Sequence, residues 1–270
     1  MLPGPPRELQ PMFLDQVLPW VRRVFPLEAP FRCRTLRSTG VPESTMQQHI
    51  AGPLAELVAR GLEIGYCARP GEVDVRLSAR GADANRVVAG AEAIVRREVG
   101  RHLYGEEGDS LEAVVVRLLT DRRRTLAVAE SCTGGRLASR ITDVPGASEV
   151  FLGGFITYAN ALKEGLVGVR AETLAAHGAV SEPTVREMAA GARQRTGADF
   201  VLAVTGIAGP GGGTPDKPVG TAFIGLADAA GVEVKQMLNA FDRETFKHMT
   251  TQQALDLLWQ RLTGGTGAGV

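Results

Sequence analysis

The stretch "LAVAESCTGGRLASRITDVPG", residues 126–146, decides how the second half of this chain folds. It begins with a continuous apolar run, passes through a serine, a cysteine, a threonine and two glycines, and continues with the spacing of a helix. An apolar run without alternation is typical of a strand buried on both faces of a sheet. The stretch therefore predicts a buried strand that runs into a helix N-terminus.

Strands and helices alternate on both sides of this stretch. The segment "SLEAVVVRLLTDRR" before it predicts a helix, and apolar strands such as "FLGGFITYA", "DFVLAVTGIAG" and "VGTAFIGLAD" follow it with helical segments between the first two. This alternation predicts a three-layer α/β/α domain over residues 105–263. In such sheets ligands bind at the carboxyl ends of the strands.

A smaller α+β domain is predicted for residues 13–104. Its segment "EVDVRLSAR" alternates apolar and polar residues, as a half-exposed strand does, and helical segments flank its strands. The polar "GEEGDS" near residue 105 marks the boundary between the two domains. Residues 1–12 are proline-rich and are assigned to a remnant or linker, and residues 264–270 are predicted to be a flexible tail.

The composition excludes several classes of protein. Thirty basic and thirty acidic side chains give a formal net charge of zero, so neither nucleic acid nor a membrane is expected as a partner. Three separate cysteines without a C-x-x-C pair argue against a disulfide framework and against a zinc site, and they fit a reducing compartment. Because the sequence has no long apolar run and no signal-peptide layout, a cytoplasmic location is expected.

The first candidate site follows the strand "TLAVAE". Ser131, Cys132 and Thr133 lie where a helix N-terminus offers N–H groups to a phosphate or a developing oxyanion, and Gly134 and Gly135 allow close approach. The spacing also fits a structural role in which Ser131 or Thr133 caps the helix. Cys132 as nucleophile would lack an obvious histidine base.

The second candidate is "GGFITYANALKEG", in which Lys163 follows Tyr158 by five residues and Asn160 by three. Arginine outnumbers lysine 26 to 4 in this chain, so a retained lysine hints that an amine is needed, although codon bias explains the ratio equally well. A desolvated lysine can act as a base toward a serine, and a tyrosine hydroxyl can relay the proton. An exposed helical lysine beside a half-buried tyrosine fits the same spacing.

The third candidate is "AVTGIAGPGGGTPDKPVGT", a strand that leads into a glycine-rich loop. Its backbone N–H groups could hold a phosphate, but it matches neither a Walker A nor a dinucleotide-binding loop, and a plain hairpin connection fits as well. Arg243 could reach a phosphate or could be an ordinary surface residue. The four histidines have no metal-ligand spacing, and neither a metal nor a cofactor is expected.

Four motifs in order give the chain a family resemblance. The segments "AESCTGG", "GGFITYANALKEGLVGV", "HGAVSEPTVREMAAGA" and "AVTGIAGPGGGTPDKPVGT" resemble the CinA C-terminal domain family, the nicotinamide mononucleotide deamidases, over about residues 105–263. Residues 13–104 resemble the small KH-like domain of full-length CinA proteins, but the G-x-x-G loop that clamps RNA is absent, because "VPES" follows Gly40. "PGPPRELQPMF" looks like the end of a molybdopterin-binding-like domain, whose pyrophosphatase activity is therefore not expected here.

The resemblance implies hydrolysis of the carboxamide of nicotinamide mononucleotide to nicotinic acid mononucleotide and ammonia. It implies Ser131 as nucleophile, Lys163 as base and Tyr158 as assistant, with the oxyanion held by N–H groups near 132–134 or 205–206. A pyridine nucleotide is the expected small-molecule partner, and a homo-oligomer is expected. The substrate-binding candidates are Thr133, Gly134, Gly135, Asn160, Ser181, Thr205, Gly206, Gly212 and Arg243.

One departure from the family pattern concerns the F-x-G-x-R run before the last helix. Here Asn239 and Phe241 occupy the Phe and Gly positions, while Arg243 is kept.

A competing hypothesis makes the chain a nucleotide-binding module without catalysis, linked to competence or DNA-damage responses. A serine with a base beside it argues against that module, because a binder needs no base.

Overall fold

The computed structural model describes residues 4–26 and 29–264 and contains two separate β-sheets. The part of the predicted tail after residue 264 lies outside the described residues. The first helical segment comprises α1 (Pro6–Met12), a π-helical turn (Phe13–Val17) and α2 (Leu18–Val24), with no buried residue. Helix therefore begins inside the proline-rich segment, because proline is compatible with the first turn.

The first domain is a four-stranded antiparallel sheet covered on one face by two helices. Its elements are β1 (Phe31–Thr39), α3 (Glu43–Ala59), β2 (Glu63–Arg69), β3 (Glu72–Arg80), α4 (Ala84–Val99) and β4 (Leu103–Glu106). The strand order is β2-β3-β1-β4. Leu36, Ile50, Leu77 and Val95 lie in its core without exposed surface. The short β4 was not predicted, and it extends past the boundary expected at residue 104.

The second domain contains a five-stranded mixed sheet. Its elements are α5 (Leu111–Arg122), β5 (Leu126–Glu130), α6 (Arg136–Thr142), β6 (Phe151–Ile156), α7 (Asn160–Val167), α8 (Ala171–His177), α9 (Glu182–Thr196), β7 (Phe200–Gly206), β8 (Thr221–Asp228), β9 (Gly231–Leu238) and α10 (Arg243–Thr263). The order is β6-β5-β7-β8-β9, with β5 parallel to both neighbours and β8 and β9 antiparallel. The sequence did not predict helix α8.

Two apolar cores lie on the two faces of this sheet. Side chains of β5 and β7 alternate between them, so that Val128 packs with α5, α6 and α10 while Ala129 packs on the side of α9. All five residues of β5 are buried, which explains its continuous apolar run. The predicted fold class is confirmed: a three-layer α/β/α domain follows a small α+β domain.

Helix α10 connects the two domains. Gln252 Nε2 donates to Thr39 Oγ1 and to Glu72 Oε1 of the first domain, both at 3.3 Å. Asp256 Oδ2 lies 3.0 Å from the position that a Cβ on Gly40 would take. No helix within residues 4–26 and 29–264 is long and apolar enough to cross a membrane.

Candidate active site

A serine and a lysine meet at the carboxyl edge of the second sheet. Ser131 directly follows β5, and Lys163 lies in the first turn of α7, which follows the neighbouring strand β6. Lys163 Nζ lies 3.2 Å from Ser131 Oγ. Lys163 is only 1% exposed and Ser131 8% exposed. Two parallel strands thus bring together two residues that are 32 positions apart.

The surroundings of Lys163 favour its neutral form. Its Nζ donates to the carbonyl oxygens of Thr157 at 2.7 Å and Tyr158 at 3.2 Å. Burial lowers the pKa of Lys163, and no carboxylate of the described residues lies within ion-pair distance to offset that effect. A neutral amine can donate two hydrogens to the carbonyls and keep its lone pair for the Ser131 hydroxyl hydrogen. The geometry therefore suits a general base.

Glu130 organises the loop that carries Ser131. This fully buried carboxylate accepts from Thr133 Oγ1 at 2.6 Å and from the N–H groups of Gly135, Leu137 and Ala138 at 3.0, 3.1 and 2.8 Å. It therefore occupies the N-terminus of α6, for which the sequence predicted either a bound anion or a cap by Ser131 or Thr133. The signal for this role is a charged residue at the end of a buried apolar strand, just before a glycine pair and a helix.

Two backbone N–H groups next to Ser131 remain available. Gly134 N donates to Ser131 O at 3.2 Å, and Ser131 N donates to Val204 O at 3.0 Å. Within the described part of the chain, the N–H groups of Cys132 and Thr133 donate to no other residue. Of the three candidate oxyanion donors at positions 132–134, only Cys132 and Thr133 therefore keep an N–H group that is available to an oxyanion.

Tyr158 lies at the site in a different orientation from the one expected. Its carbonyl, and not its hydroxyl, contacts Lys163. Its side chain is 60% exposed, and its hydroxyl accepts from Arg243 Nη2 at 3.1 Å. Arg243 Nη1 donates to Gly209 O at 3.0 Å, so the arginine joins Tyr158 to the glycine-rich loop. The expected hydroxyl contact with the serine–lysine pair is absent among the described residues.

Three predicted hydroxyl ligands serve the fold in this structure. Thr133 donates to Glu130, and Thr205 Oγ1 donates to Ala179 O at 2.8 Å. Ser181 caps α9, accepting from Thr184 N and donating to Gly178 O at 3.0 Å. All three side chains are buried, and each hydroxyl bonds to an acceptor that the chain itself supplies.

The remaining predicted ligand residues lie around the site. Asn160 is exposed at the first position of α7, and Gly212 is exposed in the glycine-rich loop. Gly134 is exposed, whereas Gly135 donates to Glu130. At Gly206 a Cβ would lie 2.8 Å from Phe246 Cζ and from Thr221 O, so glycine is required there by packing alone.

Asn239, which takes the Phe position of the F-x-G-x-R pattern before the last helix, has a structural role. It is 2% exposed, and its amide donates to Gln253 Oε1 at 2.8 Å and accepts from Gln253 Nε2 at 3.0 Å. This pair joins the loop after β9 to α10, while Phe241 is 51% exposed. A polar pair thus connects this loop to the helix that presents Arg243.

A metal site and the cleft between the two domains are the alternatives to the serine–lysine pair. No group of three or more His, Cys, Asp or Glu side chains with metal-binding geometry occurs among residues 4–26 and 29–264. A cleft of about 770 Å³ between the two domains is lined by Arg37, Arg136 and His248 and by the ion pair of Arg140 with Glu112, but by neither Ser131 nor Lys163. We therefore place the candidate active site at Ser131 rather than in this cleft.

Fold and site together define a class of two-domain α/β proteins in which a buried lysine faces a serine at the carboxyl edge of a mixed sheet. Residues 108–262 match the family model described as "CinA C-terminal domain", and residues 33–105 match "Damage-inducible protein CinA KH domain". The chain belongs to the CinA family, as its motifs suggested.

Known relatives extend this comparison. The chain is similar to a CinA-like protein of Akkermansia muciniphila, with 45% identity over 256 residues, covering 94% of this chain and 60% of that protein. A solved structure of competence/damage inducible protein CihA from Agrobacterium tumefaciens is 39% identical, covers 57% of this chain and 93% of its own, and has a TM-score of 0.55. A competence damage-inducible protein A from Klebsiella pneumoniae gives 38% identity, 58% and 97% coverage, and a TM-score of 0.56. The chain thus spans about three fifths of the length of its curated relative.

Proposed function

We propose that this chain is a serine–lysine amidase that hydrolyses the carboxamide of nicotinamide mononucleotide to nicotinic acid mononucleotide and ammonia. The observation that carries the proposal is the buried Lys163, whose Nζ lies 3.2 Å from Ser131 Oγ and has no carboxylate partner among the described residues. A lysine in that state can take a proton from a serine near neutral pH. The identity of the substrate is inferred from the resemblance to the CinA C-terminal domain family.

In the first half-reaction Ser131 Oγ attacks the amide carbon while its proton passes to Lys163 Nζ. The oxyanion that forms is stabilised by the N–H groups of Cys132 and Thr133. The tetrahedral intermediate then collapses, the carbon–nitrogen bond breaks, and Lys163 returns the proton to the departing nitrogen, which leaves as ammonia. An acyl ester on Ser131 remains.

In the second half-reaction Lys163 takes a proton from water, and the resulting hydroxide attacks the ester carbonyl. Collapse of this second intermediate breaks the bond to Ser131 Oγ and returns the proton to it, which releases the carboxylate product. Glu130 takes no part in proton transfer, because its oxygens hold the loop. It is a positioning residue.

The test is ammonia release from nicotinamide mononucleotide in buffer that contains a chelator. We expect Ser131→Ala, Lys163→Met and Lys163→Arg to lose at least about 1,000-fold in kcat, since each removes the nucleophile or the base. Ser139→Ala, an exposed serine on α6, and Lys235→Ala, a lysine paired with Glu233 on β9, serve as matched controls and should keep parent activity.

A second measurement examines the covalent step. Acid quench during turnover, followed by mass spectrometry of the peptide that contains Ser131, should reveal the added nicotinoyl nucleotide mass. A parent chain that binds the nucleotide but releases no ammonia would support the non-catalytic binding module instead. Full activity in Lys163→Arg would contradict the role of Lys163 as base.

A further inference from the structure

Lys247 is a cation without a partner next to the candidate active site. It lies half-buried in the second turn of α10, and its Nζ is 3.8 Å from the position that a Cβ on Gly134 would take. Lys163, Lys217 and Lys235 each have an acceptor or a carboxylate within reach. Within residues 4–26 and 29–264, Lys247 has neither.

The position of Lys247 relative to Ser131 follows from the turn between them. Lys247 Nζ lies 3.8 Å from the position of a Cβ on Gly134, and the Gly134 N–H donates to Ser131 O at 3.2 Å. Lys247 therefore approaches the turn that begins at Ser131 from α10, whereas Lys163 approaches Ser131 from α7.

Arg243 precedes Lys247 by four residues, which places both on the same face of α10. Arg243 reaches Gly209 and Tyr158, while Lys247 reaches Gly134. The first two turns of the helix thus direct one cation to the loop after β7 and another to the loop after β5. Since these loops border Ser131, a ligand at the serine comes within reach of both cations.

A purely structural role for Lys247 would be to neutralise Glu130. That carboxylate already accepts four hydrogen bonds, from the Thr133 hydroxyl and three backbone N–H groups. No oxygen of Glu130 lies within ion-pair distance of Lys247. The lysine is therefore left to interact with a group that the chain itself does not supply.

We propose that Lys247 binds the phosphate of a phosphate monoester substrate, with Arg243 on the preceding turn as its companion. This inference rests on the proposed function, which identifies the substrate as nicotinamide mononucleotide. The phosphate is the only strongly anionic group of that molecule. A dianionic phosphate offers several acceptors and matches two cations. Lys247 is then a specificity-determining residue that distinguishes a nucleotide from the corresponding nucleoside.

The test compares nicotinamide mononucleotide with nicotinamide riboside, which differs only by the phosphate. Lys247→Met keeps the packing of the aliphatic stem and removes the charge. We expect its KM for the nucleotide to rise about 10- to 100-fold, the usual effect of one charge-assisted hydrogen bond, with kcat changed less than about 3-fold. The KM for the riboside should equal that of the parent, and Lys247→Arg should recover most of the loss.

Calorimetry separates this inference from the proposed function. Binding of nicotinamide mononucleotide, of nicotinamide riboside and of adenosine monophosphate is measured in Ser131→Ala and in the Ser131→Ala, Lys247→Met double variant, and Lys235→Ala serves as the charge control. Weaker binding of both nucleotides in the double variant supports the phosphate site even if the parent chain releases no ammonia. Equal affinity in the two variants, or an equal loss for the riboside, would overturn it; urea unfolding verifies that each variant is folded.

Discussion

The substitution Glu130→Gln tests whether the buried carboxylate holds the nucleophile loop. Three donors meet Oε2, from Thr133, Gly135 and Leu137, and one meets Oε1, from Ala138. If the glutamine oxygen takes the three-donor position, its NH₂ group faces the Ala138 N–H, donor against donor. The substitution therefore keeps the shape of the side chain but loses one bond and the charge.

The magnitude follows from these four bonds. One unsatisfied buried donor costs about 1–3 kcal/mol, and each of three bonds weakens by about 1 kcal/mol when its acceptor loses its charge. Because a neutral amide is less costly to bury than a carboxylate, part of this sum is offset, and we expect a loss of about 3–5 kcal/mol in the free energy of unfolding. That is a large share of the stability of a typical domain.

Urea unfolding and ammonia release are the assays. Glu187→Gln is the matched control, since Glu187 also accepts from a backbone N–H, an arginine and a threonine, but its side chain is 20% exposed. We expect this control to lose about 1–2 kcal/mol and to keep its activity, because solvent replaces the lost bonds. If Glu130→Gln unfolds within about 1 kcal/mol of the parent and keeps full kcat, the reasoning about the loop is refuted.

Three further predictions follow from ionisable groups. Because burial lowers the pKa of Lys163, the folded chain binds fewer protons than the unfolded chain between that lowered pKa and 10.5, so stability should rise with pH in that window and Lys163→Met should remove the slope in pH-dependent urea unfolding. Burial raises the pKa of Asp256 to about 6, so stability should fall as pH rises from 3.8 to 6, and this fall should be absent in Asp256→Asn. Burial raises the pKa of Cys132 to about 12, so a thiol reagent at pH 8 should label the exposed Cys67 and leave Cys132 unmodified until the chain unfolds; rapid labelling of Cys132 in the native chain would revive it as a nucleophile.

The sequence predicted the features that depend on periodicity. Apolar runs and alternation identified both domains and most elements, since burial on one or two faces leaves a direct trace in residue order. The proximity of Ser131 and Lys163 was also predictable, because each follows one of two adjacent parallel strands. Helix α8 and strand β4 are short, with seven and four residues, and gave no comparable signal.

Side-chain direction was not predictable in the same way. Thr133 and Ser181 were expected to face a ligand, yet each hydroxyl bonds to a neighbour three residues away. Whether such a hydroxyl points inward or outward depends on local backbone angles that composition does not encode. Lys247 was not predicted as a site residue, because its proximity to Gly134 joins segments that are 113 positions apart and depends on how α10 packs on the sheet.

The docking of α10 also has a consequence for synthesis on the ribosome. This helix covers one face of the second sheet and supplies both Arg243 and Lys247, yet it follows every other described element in the chain. Since domains fold from the N-terminus during translation, the first domain can form early, whereas Leu202 on β7 and Leu226 on β8 lack the cover that α10 provides until that helix emerges. The nascent chain therefore passes through a stage in which part of the apolar sheet is exposed and neither Arg243 nor Lys247 is in place, so a pause in translation before residue 243 is expected to favour chaperone capture or aggregation over folding.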